Sequence, residues 1–190
     1  MSKNRTASSK LFEIAEAQQG YFTYKQALSA GYYRDVANFH AKSGEWLRVK
    51  RGIYRLAKFP IADRPELVEW SLWSADRKDN IQGVYSHQTA LEIYDITDVN
   101  PAKLHMTVPK SFRKGTSLPK ILVLHRAAIA KSDMKQFQGY RVTSPVRTIK
   151  DMLEAGSMDP QDIKAGLRQA VQKGLISPDE ADKIEFPKDM

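Results

Sequence analysis

Three polar side chains in the first third of the sequence are spaced so that a helix would place them on one face. They are Arg34, Asn38 and Lys42, each four residues from the next, and an α-helix turns by about 100° per residue. Arginine can bond guanine bidentately and asparagine can do the same with adenine, whereas a lysine near the helix end suits a phosphate. The spacing predicts a DNA-reading face, although an ordinary solvated helix face has the same composition.

A second group of cations follows in a short basic segment. Arg48, Lys50, Arg51 and Arg55 lie within eight residues around Gly52, and a glycine at that place favours a hairpin turn. Such a hairpin can lie along the phosphate backbone or in the minor groove of DNA, with an affinity that falls as salt rises. Charged residues also protect an exposed sheet edge from pairing with strands of other chains, so a structural role for these four cations is the alternative.

Two further residues complete the candidate DNA-binding set. Thr23 fits the cap of a short helix, and Tyr33 carries a hydroxyl that can donate to a phosphate. Tyr33 also fits a place in the core or at a cap. The full candidate set is Thr23, Tyr33, Arg34, Asn38, Lys42, Arg48, Lys50, Arg51 and Arg55.

Residues for other kinds of chemistry are scarce. The chain has no cysteine, which excludes disulfides, thiolate metal sites and thiol nucleophiles. The histidines, His40, His87, His105 and His125, lack the short spacings of a metal site. We therefore predict no metal, no cofactor and no catalytic residue. His105 and His125 do fall on predicted strands, where alternation could bring them close together.

A metal-dependent nuclease is the enzyme class to weigh, because small α/β domains attached to DNA-binding modules sometimes cut DNA. A nuclease needs acidic residues on its central strands. The two clearest strand patterns, LHMTVP and KILVLHR, contain none. The acidic candidates fall on predicted helices or turns and are Asp95, Asp98, Asp151 and Glu154. The chain is therefore predicted not to be an enzyme.

The net charge of +8 is concentrated at one end of the chain. Residues 1–60 hold 11 basic and 4 acidic residues, whereas residues 61–190 hold 19 and 18. A clustered basic region is typical of a polyanion-binding surface. No segment approaches the ~20 apolar residues that cross a bilayer, so a cytoplasmic protein is expected.

The basic first third has the pattern of three helices followed by a hairpin. Helices are predicted from Ser9 to Gly20, from Thr23 to Gly31 and in YYRDVANFHAKSG, the last closing at Ser43 and Gly44 with Val36 and Phe39 as its core stripe,. Two helices joined by a glycine turn favour a helix-turn-helix, and the hairpin after it a wing. The prediction is a winged helix-turn-helix domain at residues 1–60.

The remainder, residues 61–190, begins after a proline-containing linker at residues 57–65 and is predicted to be a mixed α/β domain,. Amphipathic patterns predict helices in PELVEWSLWSADR, in VYSHQTALEIY with Ser86 as cap, in SPVRTIKDMLEAG and in DPQDIKAGLRQAVQKGL, with one short helix after them,. The fold class is therefore α+β, an N-terminal winged helix-turn-helix followed by a mixed α/β C-terminal domain.

The sequence resembles AbiEi-type antitoxin regulators, which belong to type IV toxin–antitoxin systems. The resemblance rests on YFTYKQALSAG, on LRVKRGIYRL after a glycine, on SHQTALEIYDITDVNPAKLHMTVPKSFRKG and on SPVRTIKDML, which together span roughly residues 10–155. It implies a two-domain bacterial protein that represses its own promoter and opposes a nucleotidyltransferase toxin without a stable complex. The DNA-reading helix would be Tyr33 to Lys42, and the wing Arg48 to Arg55. Arg147 and Asp151 would form an ion pair at one-turn spacing.

The leading hypothesis is a sequence-specific repressor that binds double-stranded promoter DNA and acts as an antitoxin. One alternative is a DNA-processing enzyme with a catalytic C-terminal domain that the winged helix targets to DNA. The other is a protein-interaction module, because winged helices sometimes bind proteins.

Overall fold

The computed structural model describes residues 6–115 and 117–186, and contacts divide the chain into two compact units. Unit 1 contains the residues up to 82 together with 136–140, and unit 2 contains 83–135 and the residues from 141 onward. The division after the first unit therefore falls at Gln82 rather than near residue 60. Within the described ranges, no helix combines the length and the apolar character needed to span a bilayer.

Up to residue 82, the described part of unit 1 contains four helices and a small antiparallel sheet with the strand order β1-β3-β2. Its elements in chain order are α1 (Ala7–Glu16), β1 (Tyr21–Thr23), α2 (Tyr24–Ala30), α3 (Val36–Lys42), β2 (Trp46–Lys50), β3 (Ile53–Leu56) and α4 (Pro65–Trp73). The three predicted helices and the hairpin are present. Strand β1 was not predicted, and it pairs with β3 from Tyr21 opposite Arg55 to Thr23 opposite Ile53.

The two faces of this sheet pack against different helices. Successive side chains of a strand point to opposite faces, so Phe22 and Tyr54 pack with α1, α2 and α3, while Tyr21 and Ile53 pack with Val68 and Leu72 of α4. Because α4 covers the second sheet face, the segment after the proline-rich stretch belongs to unit 1. This packing explains why the contact division comes later than the predicted boundary.

The second part of the chain contains a five-stranded sheet with the strand order β6-β5-β4-β8-β7, of which residues 136–140 are counted with unit 1. Its strands and helices are β4 (Val84–Tyr85), α5 (His87–Tyr94), β5 (Leu104–Val108), β6 (Leu122–Arg126), β7 (Met134–Phe137), β8 (Tyr140–Thr143), α6 (Pro145–Ala155), α7 (Pro160–Gln172) and α8 (Pro178–Ala181). Strand β5 runs antiparallel to β4 and parallel to β6. The molecule is thus of mixed α and β class, with helices and strands in each unit.

The helix starts of unit 2 follow its capping residues. The Ser144 side chain accepts a hydrogen bond from the Arg147 amide at the start of α6, and Asp159 accepts one from the Gln161 amide at the start of α7. Each cap is followed by a proline, which suits the first helical turn. Ser86 precedes α5 as predicted, but its side chain makes no capping bond.

Candidate nucleic-acid interface

Helix α3 presents a polar face that lies opposite its buried face. Val36 and Ala37 are buried, and only 18% of the His40 side chain is exposed. Asn38 and Lys42 lie on the other side of the helix and are exposed. These two side chains are therefore free of the core, as the four-residue spacing predicts.

The predicted core stripe of this helix is wrong at one position. Phe39 was expected to pack inward with Val36, but its side chain is 61% exposed. The core side of α3 is formed instead by Val36, Ala37 and His40, because the His40 ring stacks on Trp46 with ring centres 4.7 Å apart. The apolar ring of Phe39 therefore lies beside the polar side chains on the exposed part of the helix.

The start of α3 lies later than predicted. The helix begins at Val36 with Asp35 before it, so Tyr33 and Arg34 precede the helix rather than forming its first turn. Both are exposed, Tyr33 to 68%, and the backbone carbonyl of Arg34 accepts a hydrogen bond from the Tyr24 hydroxyl. Arg34 lies next to the polar face of α3 but outside its helical register.

The hairpin formed by β2 and β3 exposes only part of its basic group. Gly52 has φ +75°, a left-handed conformation that a turn needs and that glycine adopts readily. Arg48 and Arg51 are exposed. Lys50 instead contacts helix α4, since its Nζ lies 2.6 Å from Glu69 Oε2 and 4.3 Å from the centre of the Trp70 ring. Two cations, rather than four, therefore extend freely from the hairpin.

Two predicted site residues serve the interior of unit 1. Arg55 is only 8% exposed and its guanidinium donates to the Phe59 carbonyl over 2.6 Å, so a DNA contact predicted for Arg55 is not available on this surface. The Thr23 side chain accepts a bond from the Gln26 amide and donates to Asp79. Its role as helix cap is confirmed, and the buried hydroxyl is fully engaged.

Unit 2 contains a separate cluster of three histidines from three elements. His105 on β5 and His125 on β6 approach with Nδ1 and Nε2 3.1 Å apart, which confirms the expectation that strand alternation brings them together. His87, the first residue of α5, stacks on His125 with ring centres 3.5 Å apart. Burial and the neighbouring imidazoles lower the pKa of His87 to about 3.

The ion pair expected between Arg147 and Asp151 is confirmed beside these histidines. Arg147 Nε lies 2.6 Å from Asp151 Oδ1, and Arg147 also approaches Asp133 at 3.2 Å. Burial raises the pKa of the Asp151 carboxyl against the opposing effect of Arg147. Burial also lowers the pKa of both His105 and His125. The cluster is therefore a desolvated group of titratable side chains.

Comparison with known proteins finds a family match within the first part of the chain. Residues 9–57 match the family model described as "Transcriptional regulator, AbiEi antitoxin". Among solved structures, the RV2827C protein from Mycobacterium tuberculosis is similar with a TM-score of 0.52 and 15% identity, over 93% of this chain and 74% of the solved one. At that identity the likeness concerns the fold. No curated protein matches the chain.

Proposed function

We propose that this protein is a sequence-specific DNA-binding repressor of its own promoter and the antitoxin of a type IV toxin–antitoxin system. One observation carries the proposal most directly. Within the segment that matches the regulator family, helix α3 exposes Asn38 and Lys42 directly opposite its buried face. In a helix-turn-helix the second helix of the pair enters the major groove with such a face toward the bases.

The proposed binding mode makes unit 1 a winged helix-turn-helix. Helix α2 ends at Gly31, which has φ +110°, and the turn after it leads into α3 as the recognition helix. Asn38 would bond adenine and Arg34 guanine at the leading end of the helix, while Lys42 would contact a phosphate.

The β2–β3 hairpin is the proposed wing, and Arg48 and Arg51 carry its phosphate contacts. Both are exposed on the hairpin, whereas Lys50 and Arg55 have partners within unit 1. The wing then adds affinity through two charges without distinguishing between sequences.

We further propose that the protein acts in the cytoplasm without being an enzyme, and that it opposes a nucleotidyltransferase toxin without a stable complex. Restored growth of cells that express the toxin together with this protein would support that role. Growth arrest that persists at equal expression would remove the antitoxin half of the proposal and leave the repressor half intact.

The DNA-binding half can be tested by fluorescence anisotropy with the upstream promoter duplex and a scrambled duplex of equal length. The double variant Arg34→Ala, Asn38→Ala is expected to lose most of the preference for the promoter, because each bidentate base contact contributes about 1–3 kcal/mol of discrimination. A matched control is Arg168→Ala, Gln172→Ala, which removes an arginine and a side-chain amide at the same four-residue spacing from exposed positions of α7. Promoter preference that survives the first double variant would show that α3 does not read the bases.

A further inference from the structure

We propose that His87, His105 and His125 form a binding site for one transition-metal ion of the zinc class in unit 2. The three imidazoles come from α5, β5 and β6, so the fold, rather than local sequence spacing, brings them together. Neutral imidazoles without thiolates suit zinc, copper, nickel and iron, and three protein nitrogens leave one position of a tetrahedral ion open. This site is independent of the DNA-binding surface proposed above.

The distance between two of the rings already suits a shared ion. His105 Nδ1 and His125 Nε2 lie 3.1 Å apart. Two nitrogens that each bind a tetrahedral zinc ion at 2.0–2.1 Å are about 3.3 Å from one another. The observed separation therefore differs by only a few tenths of an ångström from the one that a shared tetrahedral ion requires,.

The third ring must turn for the site to form. His87 and His125 are stacked with an angle of 10° between their planes, and parallel rings do not direct their nitrogens at one point. Accordingly, as the side chains stand, no group of three or more His, Cys, Asp or Glu within the described ranges could hold a metal ion. The proposal therefore requires the His87 side chain to turn so that its Nε2 atom points toward the other two nitrogens.

The backbone of His87 supports a role beyond packing. Its φ of +52° lies in the left-handed region, where a residue with a side chain stores about 1–3 kcal/mol of strain that is commonly found at functional positions. The strain occurs at the one residue of α5 whose ring lies against the other two imidazoles. A strained backbone that positions a ligand is consistent with a site retained for binding.

A neighbouring hydroxyl engages one nitrogen of the His87 ring. His87 Nδ1 lies 2.9 Å from Ser86 Oγ, which in turn accepts a bond from Thr107 Oγ1. Metal-bound imidazoles commonly engage their second nitrogen in this way. The proposal requires the ring to keep this Ser86 contact as it turns, which leaves the Nε2 atom of His87 to bind the ion.

The carboxylate beside the cluster is a second observation that favours a cation over an anion. Asp151 is 5% exposed, and its Oδ2 atom is buried without a hydrogen-bond partner in the part of the chain that the structure describes. Its charge acts on His125. A buried, unsatisfied carboxylate oxygen is unfavourable, and a cation bound to His125 would offset its charge. Arg147 is already paired with Asp151 and Asp133, so the cluster does not favour an anion.

The test uses the purified full chain after treatment with EDTA. Titration with Co²⁺ followed by absorption, and with Zn²⁺ followed by calorimetry, is expected to show one saturable equivalent and a raised melting temperature. His105→Ala and His125→Ala are each expected to weaken binding by at least ~10-fold. The matched control is His40→Ala, which removes the histidine of unit 1 and is expected to leave the stoichiometry and affinity unchanged.

Two results would overturn the proposal. One is the absence of a saturable equivalent in the wild-type chain, which would leave the cluster as a packed group of neutral rings. The other is binding that depends on His40 or persists after His105 and His125 are both replaced. If the alanine variants fail to fold, X-ray absorption of the zinc-loaded wild type decides, because three imidazole ligands are expected and their absence would refute the site.

Discussion

At the scale of single residues, Phe39 is the largest side chain that helix α3 exposes. Its ring is 61% exposed and lies between Asn38 and Lys42 on one side and His40 on the other. An apolar ring on a groove-facing helix can contact the methyl group of thymine. Phe39 is thus a candidate for base contact that sequence periodicity assigned to the core.

The first prediction separates these two roles of Phe39. Phe39→Ala is expected to change the free energy of unfolding by no more than ~0.5 kcal/mol, as is usual for an exposed position. We expect it to weaken promoter binding by roughly 3- to 10-fold, which corresponds to ~1 kcal/mol. Leu11→Ala, at a buried position, should instead lower stability by about 2–5 kcal/mol. Urea unfolding and anisotropy measure both effects, and a large loss of stability in Phe39→Ala would place the ring in a contact within the fold.

A second prediction concerns Tyr21, whose side chain is buried against α4. Burial and the Glu69 carboxylate raise the pKa of the Tyr21 hydroxyl above 10.0, whereas a tyrosine in the unfolded chain ionises near 10. The unfolded state therefore releases its proton first, and the free energy of unfolding should fall as the pH rises above about 10. The slope contributed by this group is at most ~1.4 kcal/mol per pH unit.

Tyr21→Phe isolates this contribution from the other groups that titrate at high pH. The difference in unfolding free energy between wild type and variant, measured in urea between pH 9 and pH 11, should shift in favour of the variant above pH 10. A difference that stays constant over this range would mean that Tyr21 ionises alike in both states.

At the scale of elements, helix α2 depends on a reciprocal cap at its start. Thr23 accepts from the Gln26 amide, and the Gln26 side chain accepts from the Thr23 amide. Loss of such a cap typically lowers stability by about 1 kcal/mol. The third prediction is that Thr23→Ala loses about that much in urea unfolding, while Thr23→Ser retains most of it.

DNA binding by the same variants checks whether Thr23 has only this role. Thr23→Ser keeps the capping hydroxyl and is expected to bind the promoter as the wild type does. If Thr23→Ala were as stable as wild type yet lost promoter affinity, Thr23 would be a direct contact and the capping interpretation would fail.

Elements with strong local signals could be predicted from the sequence, and those that depend on tertiary pairing could not. Caps and glycine stops located α2, α6 and α7, because these signals act within a single turn. Helix α1 was predicted from Ser9 to Gly20, but it begins at Ala7 after the cap Thr6 and ends at Glu16. Strands β1 and β4 have three and two residues, too few for alternation to be detected. They exist because neighbouring strands pair with them.

The candidate site residues show the same difference between local signals and tertiary contacts. Asn38 and Lys42 were predictable because a helix face follows from spacing alone. Lys50 and Arg55 have the same residue chemistry as their exposed neighbours, but their partners are Glu69 and the Phe59 carbonyl. No local pattern indicates those contacts, so composition overestimated the number of free cations in the hairpin.

At the scale of the whole molecule, the excess of basic residues lies in the first third of the chain. Residues 1–60 hold 11 basic and 4 acidic residues, while the remainder is nearly balanced with 19 and 18. Unit 2 holds the histidine cluster instead. This division supports a protein in which one part binds a polyanion and the other performs a different task.

The final prediction uses this charge distribution through the salt dependence of promoter binding. Each phosphate contact adds about 0.9 to the slope of log K against log salt for duplex DNA. Arg51→Ala and Lys42→Ala are therefore expected to lower the slope by about 1 each and to weaken binding to the promoter and scrambled duplexes alike.

Lys50→Ala should lower the slope less, because Lys50 already pairs with Glu69 in the free protein. Lys150→Ala, at an exposed position of α6, is the charge-matched control. Anisotropy titrations at several salt concentrations measure these slopes, and an equal effect of Lys50→Ala and Arg51→Ala would mean that the Lys50–Glu69 pair opens when DNA binds.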